Sequence, residues 1–143
     1  MIAYFDTSAI VPIVVAEPST PTCRRIWEEA DRLVTSRLAY VEVAAALAMA
    51  GRRGRLSASE QERAWNSFTQ IWPDIDVVDL TSELAASAAG LARSLGLRGY
   101  DAVHCASAAA LSDVDVVAAA GDKHLLAAWQ ELGVTALDTT TAD

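Results

Sequence analysis

Short apolar runs and longer apolar–polar alternations succeed one another along the chain, and the two patterns predict different elements. Ile2, Ala3, Tyr4 and Phe5 form an apolar run that stops at Asp6, the pattern of a buried strand ending in a charge. The stretch "TSAIVPIVVAE" then predicts a short helix. "STPTCRRIWEEA" predicts a second, with Thr20 as its cap and Pro21 at its first position. A brief extended piece at Leu33–Ser36 leads into "LAYVEVAAALAMAG", an alanine-rich helix expected to stop at Gly51. "SASE" has the spacing of a capping box, Ser57 with Glu60, and opens a helix running toward Trp72 and Pro73.

The second half repeats the alternation. "IDVVDL" is strand-like, "SELAASAAGLARSLG" helical as far as Gly96, and "YDAVHCASAAAL" a helix beginning just after Gly99. "VDVVAAA" has the continuous apolarity of a strand covered on both faces. The helix "DKHLLAAWQEL" and a last strand near Thr135–Asp138 complete the series. Strands alternating with helices imply an α/β domain with a mostly parallel central sheet. No repeat, low-complexity tract or long linker interrupts residues 1–143, so a single domain is expected. A chain of this size buries roughly 68–70% of its unfolded surface and needs no staple.

Composition narrows the function classes. Cys23 and Cys105 belong to no CxxC or Cys/His spacing, so both are expected to be reduced and packed, with neither zinc nor a disulfide indicated. The longest apolar runs are broken by Pro12, Glu17 or Glu42 before a spanning length, and no basic leader opens the chain; a soluble, cytoplasmic protein with no membrane role is expected. The net charge of -8 argues against nonspecific attraction to nucleic acid. Local basic structure survives in "GRRGR", where Arg52, Arg53 and Arg55 cluster.

The chemistry lies in the acids. Asp6 follows the first strand and Asp122 the strand "VVAAA", and open parallel sheets bind ligands beyond the carboxyl ends of their strands. Glu42 and Asp101 are embedded in apolar or small residues, out of character with their neighbours. Taken singly, each has a plain structural account: Asp101 at a helix N-terminus, Asp122 as an N-cap, Glu42 turned to water. Together they form an all-oxygen cluster whose mutual repulsion calls for a cation such as Mg²⁺ or Mn²⁺.

On "YFDTSAI", "SRLAYVEVAAAL", "LRGYDAVHCASA" and "AAAGDKHLL", in that order and over nearly the whole chain, the sequence resembles the PIN-domain family and, within it, the VapC-like toxins. The resemblance implies a three-layer α/β/α fold and a metal-dependent endoribonuclease neutralised by a cognate antitoxin. It also points to a homodimer. One position departs from the pattern: the family commonly carries a hydroxyl residue two before the fourth acid, where this chain has Ala120.

The resulting assignment makes Asp6 and Asp101 the principal ligands of Mg²⁺, with Mn²⁺ as a substitute. Glu42 is a ligand or positions the attacking water, and Asp122 is an outer-shell or second-metal ligand. The hydroxyls or amides of Thr7 and Ser8 would orient Asp6 or meet a phosphate. Arg52, Arg53 and Arg55 would guide the RNA backbone, form a solvated loop or contact the antitoxin. His104, three residues after Asp101, can approach the site, but core packing is the favoured reading; His124 is expected at the surface. Trp65, Phe68 and Trp72, at helical spacing, read as core or a protein interface rather than a base-stacking platform. The alternatives are a non-catalytic PIN-like binding module, suggested by Ala120, and a phosphatase- or receiver-like domain. A haloacid-dehalogenase-like phosphatase wants a second acid where this chain has Ser8. A receiver wants a lysine at a late strand end, whereas Lys123 opens a helix.

Overall fold

Five strands collect the short apolar runs: β1 (Ile2–Phe5), β2 (Arg32–Ser36), β3 (Asp76–Val78), β4 (Val116–Ala120) and β5 (Thr135–Asp138). They are seen in a computed structural model that describes residues 1–111 and 115–141. Every pairing is parallel, and the spatial order is β3-β2-β1-β4-β5. The chain therefore builds outward from β1 in one direction, then returns to the other side of β1 with β4. The switch point lies between β1 and β4 at their carboxyl ends, where such sheets present a crevice to ligands.

Successive residues of a strand face opposite ways, and helices cover both faces. Ala3 and Phe5 of β1 and Ala119 of β4 enter one core. Its other members come from α1 (Thr7–Val14), α2 (Thr20–Glu29), α3 (Leu38–Arg52) and α4 (Ala58–Ile71). Tyr4, Ala118 and Ala120 face the other way, toward Cys105 and Trp129. Those two residues lie on α6 (Gly99–Ala109) and α7 (Lys123–Glu131). α5 (Ser82–Leu95) packs on α6 through Leu84, Ala88, Ala102 and Ala106. The result is a three-layer α/β/α fold.

Several local expectations hold for local reasons. Ser57 and Glu60 form the reciprocal capping box that opens α4, and Gly96 ends α5 in the left-handed conformation at φ 66°. Both cysteines are free and buried. Phe68 is fully buried, and Trp65, Phe68 and Trp72 pack with Tyr40 at ring centroid distances of 5.2–5.8 Å.

Three boundaries move. α1 ends at Val14 rather than running to Glu17. Thr20 is not the cap of α2 but its first residue, after Ser19. Its hydroxyl is already committed: it donates to the Pro12 carbonyl at 2.7 Å and accepts from the Glu17 amide at 2.9 Å, closing the turn between the helices. Gly51 does not stop α3; it lies inside the helix with the Gln61 side chain directly over it, and the chain reverses at Gly54, φ 72°. Val114, the first residue of the expected fourth strand, lies outside the described residues.

Candidate active site

Asp6 is fixed from both sides of the strand end. Its amide continues the β1–β4 ladder to the Ala119 carbonyl at 3.0 Å, and the buried Thr35 hydroxyl satisfies the Phe5 carbonyl at 2.7 Å. Its carboxylate caps α1, with Oδ2 accepting from the Ser8 amide at 3.2 Å and the Ser8 hydroxyl at 2.6 Å. Ser8 Oγ in turn accepts the Gly121 amide at 2.8 Å, which ties the β1 end to the β4 end across the crevice. A Cβ at position 121 would stand only 3.3 Å from Thr140 and 3.4 Å from Thr139, so glycine permits this close approach.

Glu42 reaches the same place from α3, one turn in from its start. Its Oε1 accepts from the Thr7 hydroxyl at 2.8 Å and from His104 Nε2 at 2.5 Å. A carboxylate only accepts, so the Nε2 of His104 carries a proton. That nitrogen also lies 3.3 Å from Asp6 Oδ1, and the imidazole therefore bridges the two acids. On its other side His104 Nδ1 meets the hydroxyl of fully buried Tyr4 at 2.7 Å. Burial works against the charged imidazole. The hydrogen bond to Glu42 and the charges of Asp6, Glu42 and Asp101 outweigh it and raise the His104 pKa above its ordinary value.

Asp101 sits in the first turn of α6 and is 6% exposed. Burial pushes its carboxyl above the ordinary aspartate range, the nearby charges of Asp122 and Asp6 add to the effect, and a hydrogen bond from Arg98 opposes it. Asp122 caps α7: its Oδ1 accepts from the amides of His124 and Leu125 at 2.9 and 3.1 Å. The cap orients this acid without the hydroxyl that position 120 lacks, and it leaves Oδ2 facing Arg98 at 3.8 Å.

The fold thus brings Asp6, Glu42, Asp101 and Asp122 to one end of the sheet. Thr7 and Ser8 join them as donors to Glu42 and Asp6. Arg52, Arg53 and Arg55 do not join them. Arg52 follows Glu42 by ten residues, about 15 Å along α3, and Arg53 and Arg55, at the turn beyond that far end, border a groove of about 630 Å³ with Val11, Val15 and Leu47. His124 is exposed, as expected.

Two residues carry more of the site than their sequence context indicates. His104 is indeed a core residue, wholly buried, yet its ring is the hub of the acidic cluster. Arg98 lies in the quoted "LRGYDAV" stretch, three residues before Asp101, a spacing at which its side chain reaches Asp101 from the N-cap of α6.

The donor set suits a hard divalent cation: four carboxylates, with no thiolate among them. Among the described residues, however, no group of three acids, histidines or cysteines stands ready-made around a single ion position. Oxygens of all four acids are taken up by bonds or ion pairs to His104, Arg98, hydroxyls and helix amides. A cation would therefore enter by rearranging side chains rather than by filling a preformed cage.

Comparisons with known proteins agree with this architecture. A PIN domain family model matches residues 3–129. Ribonuclease VapC45 of Mycobacterium tuberculosis (strain CDC 1551 / Oshkosh) is 42% identical over 127 residues, covering 87% of this chain and 86% of that protein. Among solved structures, Mycobacterium tuberculosis VapC20, described as a sarcin-ricin loop cleaving toxin, superposes with a TM-score of 0.66 at 20% identity, covering 88% of this chain and 94% of the other. A toxin-antitoxin complex from Klebsiella pneumoniae gives a TM-score of 0.57 at 15% identity, with coverage of 80% and 83%. The last two likenesses speak to the fold alone.

Proposed function

The chain belongs to the PIN-domain family, and from that premise we propose that it is a metal-dependent endoribonuclease of the VapC type, held in check by a cognate antitoxin. The observation that carries the reading is the convergence of Asp6, Glu42, Asp101 and Asp122 on the β1–β4 switch point, a concentration of negative charge that nothing in the core requires. Family membership displaces the phosphatase and receiver alternatives.

Asp6 and Asp101 would be the main ligands of Mg²⁺ or Mn²⁺, with Glu42 and Asp122 completing the set. When bound, such an ion supplies a water of lowered pKa and a Lewis acid toward the phosphoryl oxygens. The chain's own residues do the rest. Ser8 holds Asp6 Oδ2, so that Oδ1 turns toward His104 and Glu42. Thr7 and His104 fix Glu42, which puts one carboxylate where it can accept a proton from an attacking water. The arginine loop, remote from the acids, is assigned to contact with a partner rather than to the scissile phosphate.

The test compares cleavage of purified total RNA by the wild type and Asp6→Asn, with Mg²⁺, with Mn²⁺ and with EDTA, after circular dichroism shows both to be folded. Metal-dependent cleavage that vanishes in the variant supports the reading. No cleavage by antitoxin-free wild type with any metal, or equal cleavage by the variant, rejects it in favour of a binding module.

A further inference from the structure

We propose that Arg98 is a built-in counter-ion of the acidic cluster, occupying Asp101 and Asp122 when no divalent ion is bound and competing with the ion for them. The inference rests on the metal-site reading above and adds to it a residue that opposes loading.

The position of Arg98 is the first argument. It is the residue that precedes the first turn of α6, and its own side chain makes no capping bond. A cation there faces the positive end of the helix dipole, the wrong sign for that location. Something else holds it. Its Nε donates to Asp101 Oδ2 at 3.1 Å, its Nη2 stands 3.8 Å from Asp122 Oδ2, and the guanidinium lies 4.9 Å from the centre of the Tyr100 ring. The two carboxylates and the aromatic face outweigh the dipole.

The second argument is about orientation. An arginine on a ligand carboxylate can either aim it for the metal or occupy it. Asp101 is already placed by burial: its side chain is 9% exposed in the first turn of α6, whereas that of Arg98 is 66% exposed at the rim. Removing Arg98 therefore costs little in placement and removes one positive charge close to where a doubly charged ion must sit. Electrostatics then decides the sign, and the metal gains. His104, on the other side of the cluster, is locked between Tyr4 and Glu42 and cannot withdraw in the same way.

The experiment is a Mn²⁺ titration by isothermal calorimetry, with the decay of the free Mn²⁺ spin-resonance signal as a second readout. Wild type, Arg98→Ala and Arg98→Lys are compared at low and moderate salt. Arg98→Ala is expected to bind Mn²⁺ roughly three- to tenfold more tightly than wild type, a gap that narrows as salt rises. Arg98→Lys keeps the charge and stays within about twofold of wild type. Unchanged or weaker binding by Arg98→Ala, with wild type binding normally, overturns the proposal and makes Arg98 an orienting residue or a bystander. Absence of Mn²⁺ binding by wild type overturns the metal-site reading itself, and the counter-ion role with it.

Discussion

At the scale of single residues, three of the site's acids are aimed by neighbouring donors: Asp6 by Ser8, Glu42 by Thr7 and His104, and Asp122 by the first amides of α7. Glu42 depends on two donors, Thr7 and His104, and Thr7 is the one that can be removed without opening a buried hole. Thr7→Val keeps the shape and deletes the hydroxyl; cleavage is expected to fall about tenfold, as for other outer partners of metal ligands, with the fold intact by circular dichroism. The sequence displayed the acids because charges within apolar stretches are conspicuous. It hid the roles of His104 and Arg98 because a histidine on an apolar helix face looks the same whether or not carboxylates from β1 and α3 arrive beside it. Cys105 offers an independent check of core burial. Desolvation raises its thiol to about 11, so ~0.1% is thiolate at pH 8 and native protein should resist iodoacetamide that modifies the unfolded chain. Between the ordinary value of 9.0 and about 11 the unfolded state releases this proton and the folded state keeps it, so stability falls as pH rises. Urea unfolding at pH 8 and pH 10.5 should show a smaller loss in Cys105→Ala than in wild type.

At the scale of elements, signals confined to a few neighbouring residues were legible and those completed by a distant partner were not. The Ser57–Glu60 box is local, and the helix begins where it says. Thr20 has the same capping chemistry, but the Pro12 carbonyl, eight residues earlier, claims its hydroxyl. Thr20→Val would leave that carbonyl and the Glu17 amide without their partner, and equilibrium unfolding should show a loss of about 1–3 kcal/mol. Asp122 joins an element role to a site role, and two substitutions separate them. Asparagine caps a helix about as well as aspartate, so Asp122→Asn should keep wild-type stability, whereas Asp122→Ala should lose about 1 kcal/mol. If Asp122 serves the chemistry through its charge, both variants lose activity alike. Full activity in Asp122→Asn would confine this residue to capping α7.

At the scale of the whole molecule, strand–helix alternation revealed the class of fold but not the order of the sheet, because order is set by which apolar faces meet. That order is what makes the site: with β4 beside β1, Asp6 and Asp122 border one crevice, and α3 and α6 deliver Glu42 and Asp101 to it. Four acids at one place on a chain of net charge -8 are a standing cost to the ion-free protein, and at Asp101, whose pKa burial raises first of all, the charges of Asp122 and Asp6 add to that cost. A divalent ion that binds only the folded chain adds about 2.7 kcal/mol at one hundred times its Kd, or a Tm rise of roughly 8 °C for a domain of this length. Asp101→Asn separates the two effects. It removes a charge that burial disfavours, so the ion-free variant should melt no lower than wild type despite losing its ion pair with Arg98. It also removes a main ligand, so the Mg²⁺- or Mn²⁺-induced rise should largely disappear. Thermal melts of both proteins with EDTA and with each ion read both quantities at once. A wild type whose Tm ignores the ions, or a variant that keeps the full rise, would mean that this acidic end of the sheet is not where a cation binds.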